Sequence, residues 1–278
     1  MIKIEHTLFS APFMLSAILL AKEEFPSFLT LFWIVCALFA TRSCAMTLNR
    51  IIDANLDSLN PRTSSRAIPK AILKKSKALL FALFNILLLF IATLNLPPIC
   101  LKLFPLAILM ISLYSYLKFW TYLCHFFLGL TVSGAVLGGW IAVSGEISLG
   151  AVLFTLANAF RIASFDIIYA IQDFDFDKKY KIQSIVSKFG IEKAIIISLI
   201  SNLISFLFFI LTTRFINQEF LFPFILALIS LSIISFIEYF KIIKEKNYQN
   251  FFINALGGII FFIILFIGKL IIKKTFSL

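Results

Sequence analysis

Long apolar runs recur along the chain and constrain its fold more than any other feature. Most are about 18–22 residues long, the length of helix that crosses roughly 30 Å of hydrocarbon. Because lipid offers the backbone no hydrogen-bond partners, runs of this length are expected to be helices. We therefore predict an all-α integral membrane protein, one domain over residues 1–278, in the form of a bundle of about nine transmembrane helices. The expected spans are about 8–21, 27–47, 78–95, 98–117, 120–141, 148–168, 192–213, 219–240 and 251–272.

The composition excludes an ordinary soluble domain and a nucleic-acid-binding protein. Hydrophobic residues make up 61% of the chain and charged residues 14%, whereas soluble domains are about half apolar and a quarter charged. The formal net charge of +11 comes mostly from Lys and Arg in short loops, where these residues set topology. The positive-inside rule predicts basic loops and an N-terminus in the cytoplasm and a C-terminus outside. We expect the protein in the cell (inner) membrane, with its active site facing the cytoplasm. We expect no cleavable signal peptide.

Acidic residues are concentrated in two clusters, although the chain has only 14 Asp and Glu. One cluster ends the second apolar run and the other ends the sixth, so both are expected at the cytoplasmic side. Residues four apart lie on one face of a helix. The residues predicted to share a face are Asn49, Asp53 and Asp57 in the first cluster and Asp166, Asp173 and Asp177 in the second.

Stacked carboxylates of this kind predict a bound cation. Like charges repel at this spacing, and a charge at the bilayer centre costs about 2.5–3.5 kcal/mol. Mg²⁺ favours a few carboxylates with its other positions taken by water or phosphate oxygen, so two facing stripes indicate a metal–diphosphate site. Arg62 and Arg66, also four apart, are suited to hold phosphate oxygens. Arg42 precedes Asn49 by seven residues and extends the first stripe toward the bilayer.

Two other interpretations of the acidic residues stay open. Acids at helix ends are often solvated surface groups. Proton and cation transporters also use intramembrane acids. Their acids are expected near the midplane, often where Gly or Pro breaks a span, whereas the acids of this chain crowd the interface.

The ordered motifs resemble those of the UbiA superfamily of intramembrane prenyltransferases. Residues 49–57 match its N-x-x-x-D-x-x-x-D motif in full, and residues 166–177 match D-x-x-x-D preceded by D-x-x-Y-A. Residues 61–69 look like its R-T-x-x-R-x-x-P segment, and Arg42 lies where the family commonly has an arginine. The similarity runs from about residue 3 to residue 190.

The resemblance implies a nine-helix bundle with cytoplasmic cap loops and a central cavity open to membrane lipid. It also implies Mg²⁺-dependent transfer of a polyprenyl group from its diphosphate, catalysed by the four motif aspartates, with no obligate protein partner evident. By this resemblance the metal–diphosphate ligands are Asn49, Asp53, Asp57, Asp173 and Asp177. The cations that would hold diphosphate or the aromatic acid are Arg42, Arg62, Arg66, Lys118 and Lys179.

The expected acceptor rests on the N-terminal segment. Residues 5–13 look like those of 4-hydroxybenzoate polyprenyltransferases, which implies a small aromatic acid and respiratory quinone (ubiquinone) biosynthesis. In that reaction a ring carbon ortho to the phenolic hydroxyl attacks the allylic group and the ring then loses a proton. A dihydroxynaphthoate of menaquinone biosynthesis stays open as the acceptor. The candidate acceptor contacts are His6, Arg161, Asp166 and Tyr169.

Two positions depart from the family pattern. Lys118-Phe119 stands where better-known 4-hydroxybenzoate enzymes carry Lys-Arg, and Arg161 stands where an aromatic residue is common. We therefore predict that Arg161 supplies the missing cation and receives the acceptor carboxylate. Pairing of Arg161 with Asp166, or snorkelling to the interface, is an equal alternative. His6 is either an interfacial histidine or a substrate contact.

Three other classes of protein are weighed against this one. Another member of the superfamily, acting on haem or a lipid, would have the same fold and a different acceptor. A CDP-alcohol phosphotransferase would need a D-G-x-x-A-R run, which the chain lacks. An ion-coupled transporter or scaffold would show no Mg²⁺-dependent turnover.

Overall fold

The computed structural model describes residues 10–246, 248 and 251–275, and the regular elements within them are all helical. Three short 3-10 turns accompany the α-helices, at Ile171–Asp173, Thr213–Phe215 and Gln218–Phe220. The α-helices are α1 (Ala11–Ala21), α2 (Phe28–Ile52), α3 (Ala54–Leu59), α4 (Lys75–Leu94), α5 (Pro98–Leu117), α6 (Cys124–Ser144), α7 (Leu149–Ala170), α8 (Phe174–Lys179), α9 (Ile185–Phe189), α10 (Ile191–Thr212), α11 (Leu221–Glu245) and α12 (Phe251–Thr275).

Eight of these helices are long and apolar enough to cross a membrane: α2, α4, α5, α6, α7, α10, α11 and α12. The predicted class, an all-α multi-pass membrane protein, is therefore confirmed. The predicted count of nine full spans is not, because α1 has only 11 residues, fewer than the roughly 17 needed to cross the hydrocarbon.

The short helix α1 leaves free carbonyls at its C-terminal end, and these need donors. Lys269 of α12 supplies them: its ammonium donates to Leu19 O at 2.8 Å and to Lys22 O at 2.5 Å. This lysine is only 2% exposed. An intramembrane charge is thus used here to hold α1 against α12.

The long helices pack in two groups around α6 and α7, which lie against each other. α2, α4 and α5 form one group, and α10, α11 and α12 form the other. Aromatic rings fill the second group. Five phenylalanines with no exposed surface meet there, and the ring centroids of Phe13 and Phe261, for example, are 5.3 Å apart. The cluster consists of Phe13, Phe154, Phe209, Phe224 and Phe261.

The contact between α6 and α7 depends on a glycine. A Cβ atom at Gly129 would lie 2.2 Å from the carbonyl oxygen of Ala159, far inside van der Waals contact. One turn farther along α6, the buried Asn158 of α7 donates to Ser133 Oγ at 2.8 Å. Close approach of the two backbones therefore fixes the position of α7, which carries the second acidic cluster.

We expect Gly129→Ala to destabilise the protein by about 1–3 kcal/mol, because the added methyl group overpacks the α6–α7 contact. Thermal unfolding in detergent measures the effect. Gly134→Ala on the same helix is the matched control, since no atom lies within 4 Å of the Cβ it would add. Equal melting temperatures for the two variants would contradict the assigned contact.

Candidate active site

The first acidic cluster lies where α2 ends and α3 begins. The amide of Asn49 donates to Asp53 Oδ2 at 2.9 Å and to Ser115 Oγ at 3.2 Å. Lys118, at the end of α5, pairs with Asp53 Oδ1 at 2.5 Å. Burial raises the pKa of Asp53 above its ordinary value, while the Lys118 ammonium acts in the opposite direction. Asn49 and Asp53 thus face the same side, as their spacing predicts.

Asp57 continues this face from α3. Its Oδ1 pairs with Arg66 Nη1 at 2.5 Å, and its Oδ2 is buried with no hydrogen-bond partner in the described part of the chain. Arg66 belongs to the segment between α3 and α4, which folds back over the helix ends. A buried carboxylate oxygen without a donor is an atom that a cation would satisfy.

The second cluster is joined directly to the first. Arg62 donates to both oxygens of Asp173, from Nε to Oδ1 at 2.9 Å and from Nη2 to Oδ2. Asn60 donates to Asp173 Oδ1 at 3.0 Å. Lys118, paired with the first cluster, is also close enough to Asp177 for its charge to act on that carboxylate. The two acidic clusters therefore meet at one end of the bundle.

Asn60 is a site residue that the motif spacing does not reveal. Besides donating to Asp173, its Oδ1 accepts the backbone N–H of Arg62 at 2.9 Å, the local bond by which Asn stabilises turns. The only signal for it in the sequence is its position directly before the matched segment 61–69. The Asn60 side chain thus orients Arg62 and also binds Asp173, with which Arg62 pairs.

Asp166 and Asp173 have different partners, and the face predicted for Asp166, Asp173 and Asp177 stays a prediction. The α-helix ends at Ala170 and a 3-10 turn leads to Asp173. Asp166 accepts a hydrogen bond at its Oδ2 from His125 Nδ1, at 2.6 Å, whereas Asp173 accepts from Arg62 and Asn60.

Arg161 points away from the acidic clusters, toward α12. Its Nη1 and Nη2 donate to Asn254 Oδ1 and Asn254 O, both at 2.8 Å. Its guanidinium lies 4.7 Å from the ring centroid of Phe13. The alternative pairing of Arg161 with Asp166 is wrong. The predicted role as receiver of the carboxylate gains no support from this arrangement, which favours a role in packing α12 onto α7.

The three remaining predicted residues have different outcomes. The Tyr169 hydroxyl accepts from Arg62 Nη1 at 3.4 Å, so this tyrosine borders the joined clusters. Lys179 is exposed, with its ammonium 5.5 Å from the Tyr180 ring centroid. His6 lies outside the described residues.

An apolar cavity of about 550 Å³ lies between α1, α2 and α4–α7. Tyr114 lines it one residue before Ser115, the partner of Asn49, and Asp166 lines it three residues before Tyr169. The cavity therefore adjoins the joined clusters. Arg42 also lines it, with a buried Nε that has no hydrogen-bond partner in the described ranges. An apolar chamber beside a charged site suits a ligand with a polar head and a hydrocarbon tail.

The donor set fits Mg²⁺, although the carboxylates are paired with cations. Among residues 10–246, 248 and 251–275 there is no group of three or more His, Cys, Asp or Glu arranged to hold a metal. Mg²⁺ does not require such a cage, because it binds through one or two carboxylates and keeps water or phosphate oxygens as its other ligands. The partnerless Asp57 Oδ2 and the neighbouring Asp53 are donors of that kind.

Comparison with known proteins identifies the family. The model of the UbiA prenyltransferase family matches residues 10–268. The chain belongs to this family. The membership predicted from the two motifs is therefore confirmed, and the joined acidic clusters are the residues that carried the resemblance.

Two relatives illustrate the similarity, each a 4-hydroxybenzoate octaprenyltransferase. The protein of Vibrio campbellii is 29% identical over 184 residues, which are 66% of this chain and 65% of that protein. The match thus spans slightly less than two thirds of that relative's length. The protein of Vesicomyosocius okutanii is 29% identical over 255 residues, 91% of this chain and 93% of that protein.

Solved structures show the same fold. The apo structure of a UbiA homologue from Aeropyrum pernix K1 is similar with a TM-score of 0.82 and 27% identity, and the match covers 96% of this chain and 99% of that chain. A UbiA homologue from Archaeoglobus fulgidus bound to GPP and Mg²⁺ has a TM-score of 0.75 and 17% identity over 96% of this chain and 95% of that chain.

We expect Asn60→Ala to destabilise the protein by about 1–3 kcal/mol, because the variant removes a donor from a partly buried carboxylate and frees the turn before Arg62. Limited proteolysis should detect faster cleavage within residues 61–74. Asn55→Ala is the matched control, because Asn55 is exposed on α3. Unchanged stability and cleavage in Asn60→Ala would show that the bond to Asp173 does not hold this segment.

Proposed function

We propose that this protein transfers a polyprenyl group from polyprenyl diphosphate to a ring carbon of a small aromatic acid, with 4-hydroxybenzoate as the first candidate, in respiratory quinone biosynthesis. The observation that carries the proposal is the joining of two acidic clusters and three cations beside an apolar cavity. A small charged ligand would not require the apolar cavity, and a pure hydrocarbon ligand would not require the charged residues.

The charged cluster is suited to the diphosphate. Arg62, Arg66 and Lys118 already lie against carboxylates, so they are positioned to bind phosphate oxygens when metal neutralises those carboxylates. The residues that would hold Mg²⁺ are Asn49, Asp53, Asp57, Asp173 and Asp177. When bound, the metal would stabilise the negative charge that develops on the leaving diphosphate.

The cavity is suited to the rest of the donor. Its apolar walls would hold the isoprenoid tail and exclude water, which would otherwise capture the allylic electrophile. The hydrocarbon therefore needs no specific polar contact. Its affinity would come from apolar surface removed from water at about 25 cal/mol per Å².

Arg42 is the cation best suited to receive the carboxylate of the acceptor. It lines the apolar cavity, and its buried Nε lacks a hydrogen-bond partner within the described residues. It lies two helical turns, about 10 Å, from Asn49 along α2. A planar carboxylate accepts two parallel hydrogen bonds from a guanidinium, which would orient the ring as well as bind it.

The proposed location is a cell inner membrane with the active site at the cytoplasmic side. The charged cluster lies at the end of the bundle from which the loop with Arg62, Arg66 and Lys70 extends. Basic loops remain in the cytoplasm during insertion, which supports this orientation.

Membranes containing the protein should transfer radiolabel from polyprenyl diphosphate to 4-hydroxybenzoate, and EDTA should abolish transfer until Mg²⁺ is added in excess. Asp57→Asn should lower turnover about 10²-fold or more, because it removes a carboxylate that stabilises bound metal. Asp175→Asn is the control, since Asp175 is exposed on α8.

If a dihydroxynaphthoate is labelled and 4-hydroxybenzoate is not, the proposed prenyl transfer stands and the acceptor is the dihydroxynaphthoate. Failure of either acid to be labelled, with Mg²⁺ present, would reject the proposed reaction and favour a transporter or a different acceptor class.

Arg42→Met should raise the KM of the aromatic acid by roughly tenfold or more and leave the KM of the prenyl donor little changed. A hydrogen bond to a charged group contributes about 1.5–3 kcal/mol, which sets this scale. Steady-state kinetics with each substrate varied in turn measures both constants. An increase confined to the KM of the prenyl donor would instead assign Arg42 to the diphosphate, and equal increases in both would contradict a specific role in acceptor binding.

A further inference from the structure

A histidine–aspartate pair lies beside the cavity, and neither residue is assigned a role in the donor site described above. His125 of α6 is 3% exposed, and its Nδ1 lies 2.6 Å from Asp166 Oδ2. Asp166 lines the cavity, with 28% of its side chain exposed. The histidine is therefore hidden behind a carboxylate that faces the chamber.

The second ring nitrogen of His125 indicates which atom donates to Asp166. The backbone N–H of Ile185, at the start of α9, donates to His125 Nε2 at 3.4 Å. Because a backbone N–H can only donate, Nε2 accepts and Nδ1 carries the hydrogen that is donated to Asp166. The histidine thus holds one oxygen of Asp166, the Oδ2 atom.

Asp166 is the only acidic residue among the described residues that line the cavity. Three of the motif carboxylates are paired with cations at the end of the bundle, where they serve metal and diphosphate in the proposed function. The partner of Asp166 is an imidazole instead of a Lys or Arg side chain. A carboxylate that lines the cavity and is not paired with Lys or Arg is the better placed proton acceptor.

We propose that Asp166 takes the proton that the aromatic ring loses, and that His125 is the residue that positions it; this inference rests on the proposed function. The bond between the prenyl C1 and the diphosphate oxygen breaks, and its electron pair leaves with diphosphate. A ring carbon ortho to the hydroxyl forms the new C–C bond with a ring electron pair. The C–H electron pair then restores aromaticity while the proton passes to Asp166 Oδ1 and later to solvent.

The test uses the acid that the wild-type protein prenylates, deuterated at the positions ortho to its hydroxyl. With Asp166 present, proton loss follows the slower ionisation of the donor, so the isotope effect on turnover should be close to one. Asp166→Asn should lower turnover by about 10²-fold and show a normal primary isotope effect, because proton removal becomes the slow step. The Kd of the prenyl diphosphate with Mg²⁺ should be unchanged.

A pair of variants at His125 tests the positioning role independently. His125→Asn keeps an N–H donor close to the position of Nδ1, whereas His125→Phe removes the donor and keeps an aromatic ring. His125→Phe should acquire the isotope effect, and His125→Asn should stay close to wild type. A purely structural role would lower activity in both without changing the isotope effect.

The outcomes separate this inference from the proposed function. If the wild-type protein transfers no prenyl group, the proposed function fails. If wild-type transfer is normal and Asp166→Asn shows neither slower turnover nor an isotope effect, the assignment of Asp166 is overturned while the function stands. Equal isotope effects in the two His125 variants overturn the positioning role, and they remain informative if Asp166→Asn fails to fold.

Discussion

Three carboxylates at one end of the bundle are each held beside a cation, and the arrangement of the site depends on this neutralisation. Asp53 lies against Lys118, Asp57 against Arg66 and Asp173 against Arg62. Removing one partner of a buried pair leaves an uncompensated charge that costs about 3–5 kcal/mol. These pairs also join segments distant in sequence, because Arg62 lies between α3 and α4 and Asp173 lies beyond α7. Charge neutralisation therefore builds the binding site and the connections between helix ends together.

Under the proposed function, the same pairs explain how a substrate would enter a site whose charges are already paired. Metal and diphosphate together bring both signs of charge, so each carboxylate would exchange a cationic side chain for metal while that side chain would turn to phosphate. Binding of only one of the two would leave charges of one sign without a partner. Metal alone would leave the arginines unpaired, and diphosphate alone would leave the carboxylates unpaired. The site is thus suited to the metal–diphosphate complex, with the adjoining cavity available to the hydrocarbon.

The four-residue spacing in the sequence predicted the contact of Asn49 with Asp53, because α2 continues unbroken to Ile52. The spacing in the second cluster did not reveal the partners of its acids, because Asp166 binds His125 and Asp173 binds Arg62, both distant in sequence. The sequence did not predict Asn60 as a site residue, because the residue that it binds, Asp173, lies 113 residues away along the chain. Local periodicity therefore predicts which residues share a face, and long-range packing decides which faces meet.

Charged residues within the bundle have two different environments, and the difference indicates which are functional. Lys269 and Arg161 are satisfied by carbonyl and amide oxygens in a tightly packed region, so each stabilises the packing of α12. Arg42 and Asp166 instead line the cavity beside α2 and α7. A charge in a membrane protein is costly wherever it lies, and in the first group protein oxygens offset that cost. In the second group only part of the cost is offset within the protein, so the remainder is available to a ligand. The half of the bundle that contains the aromatic cluster is therefore a rigid support, and the half that contains the cavity is where chemistry can occur.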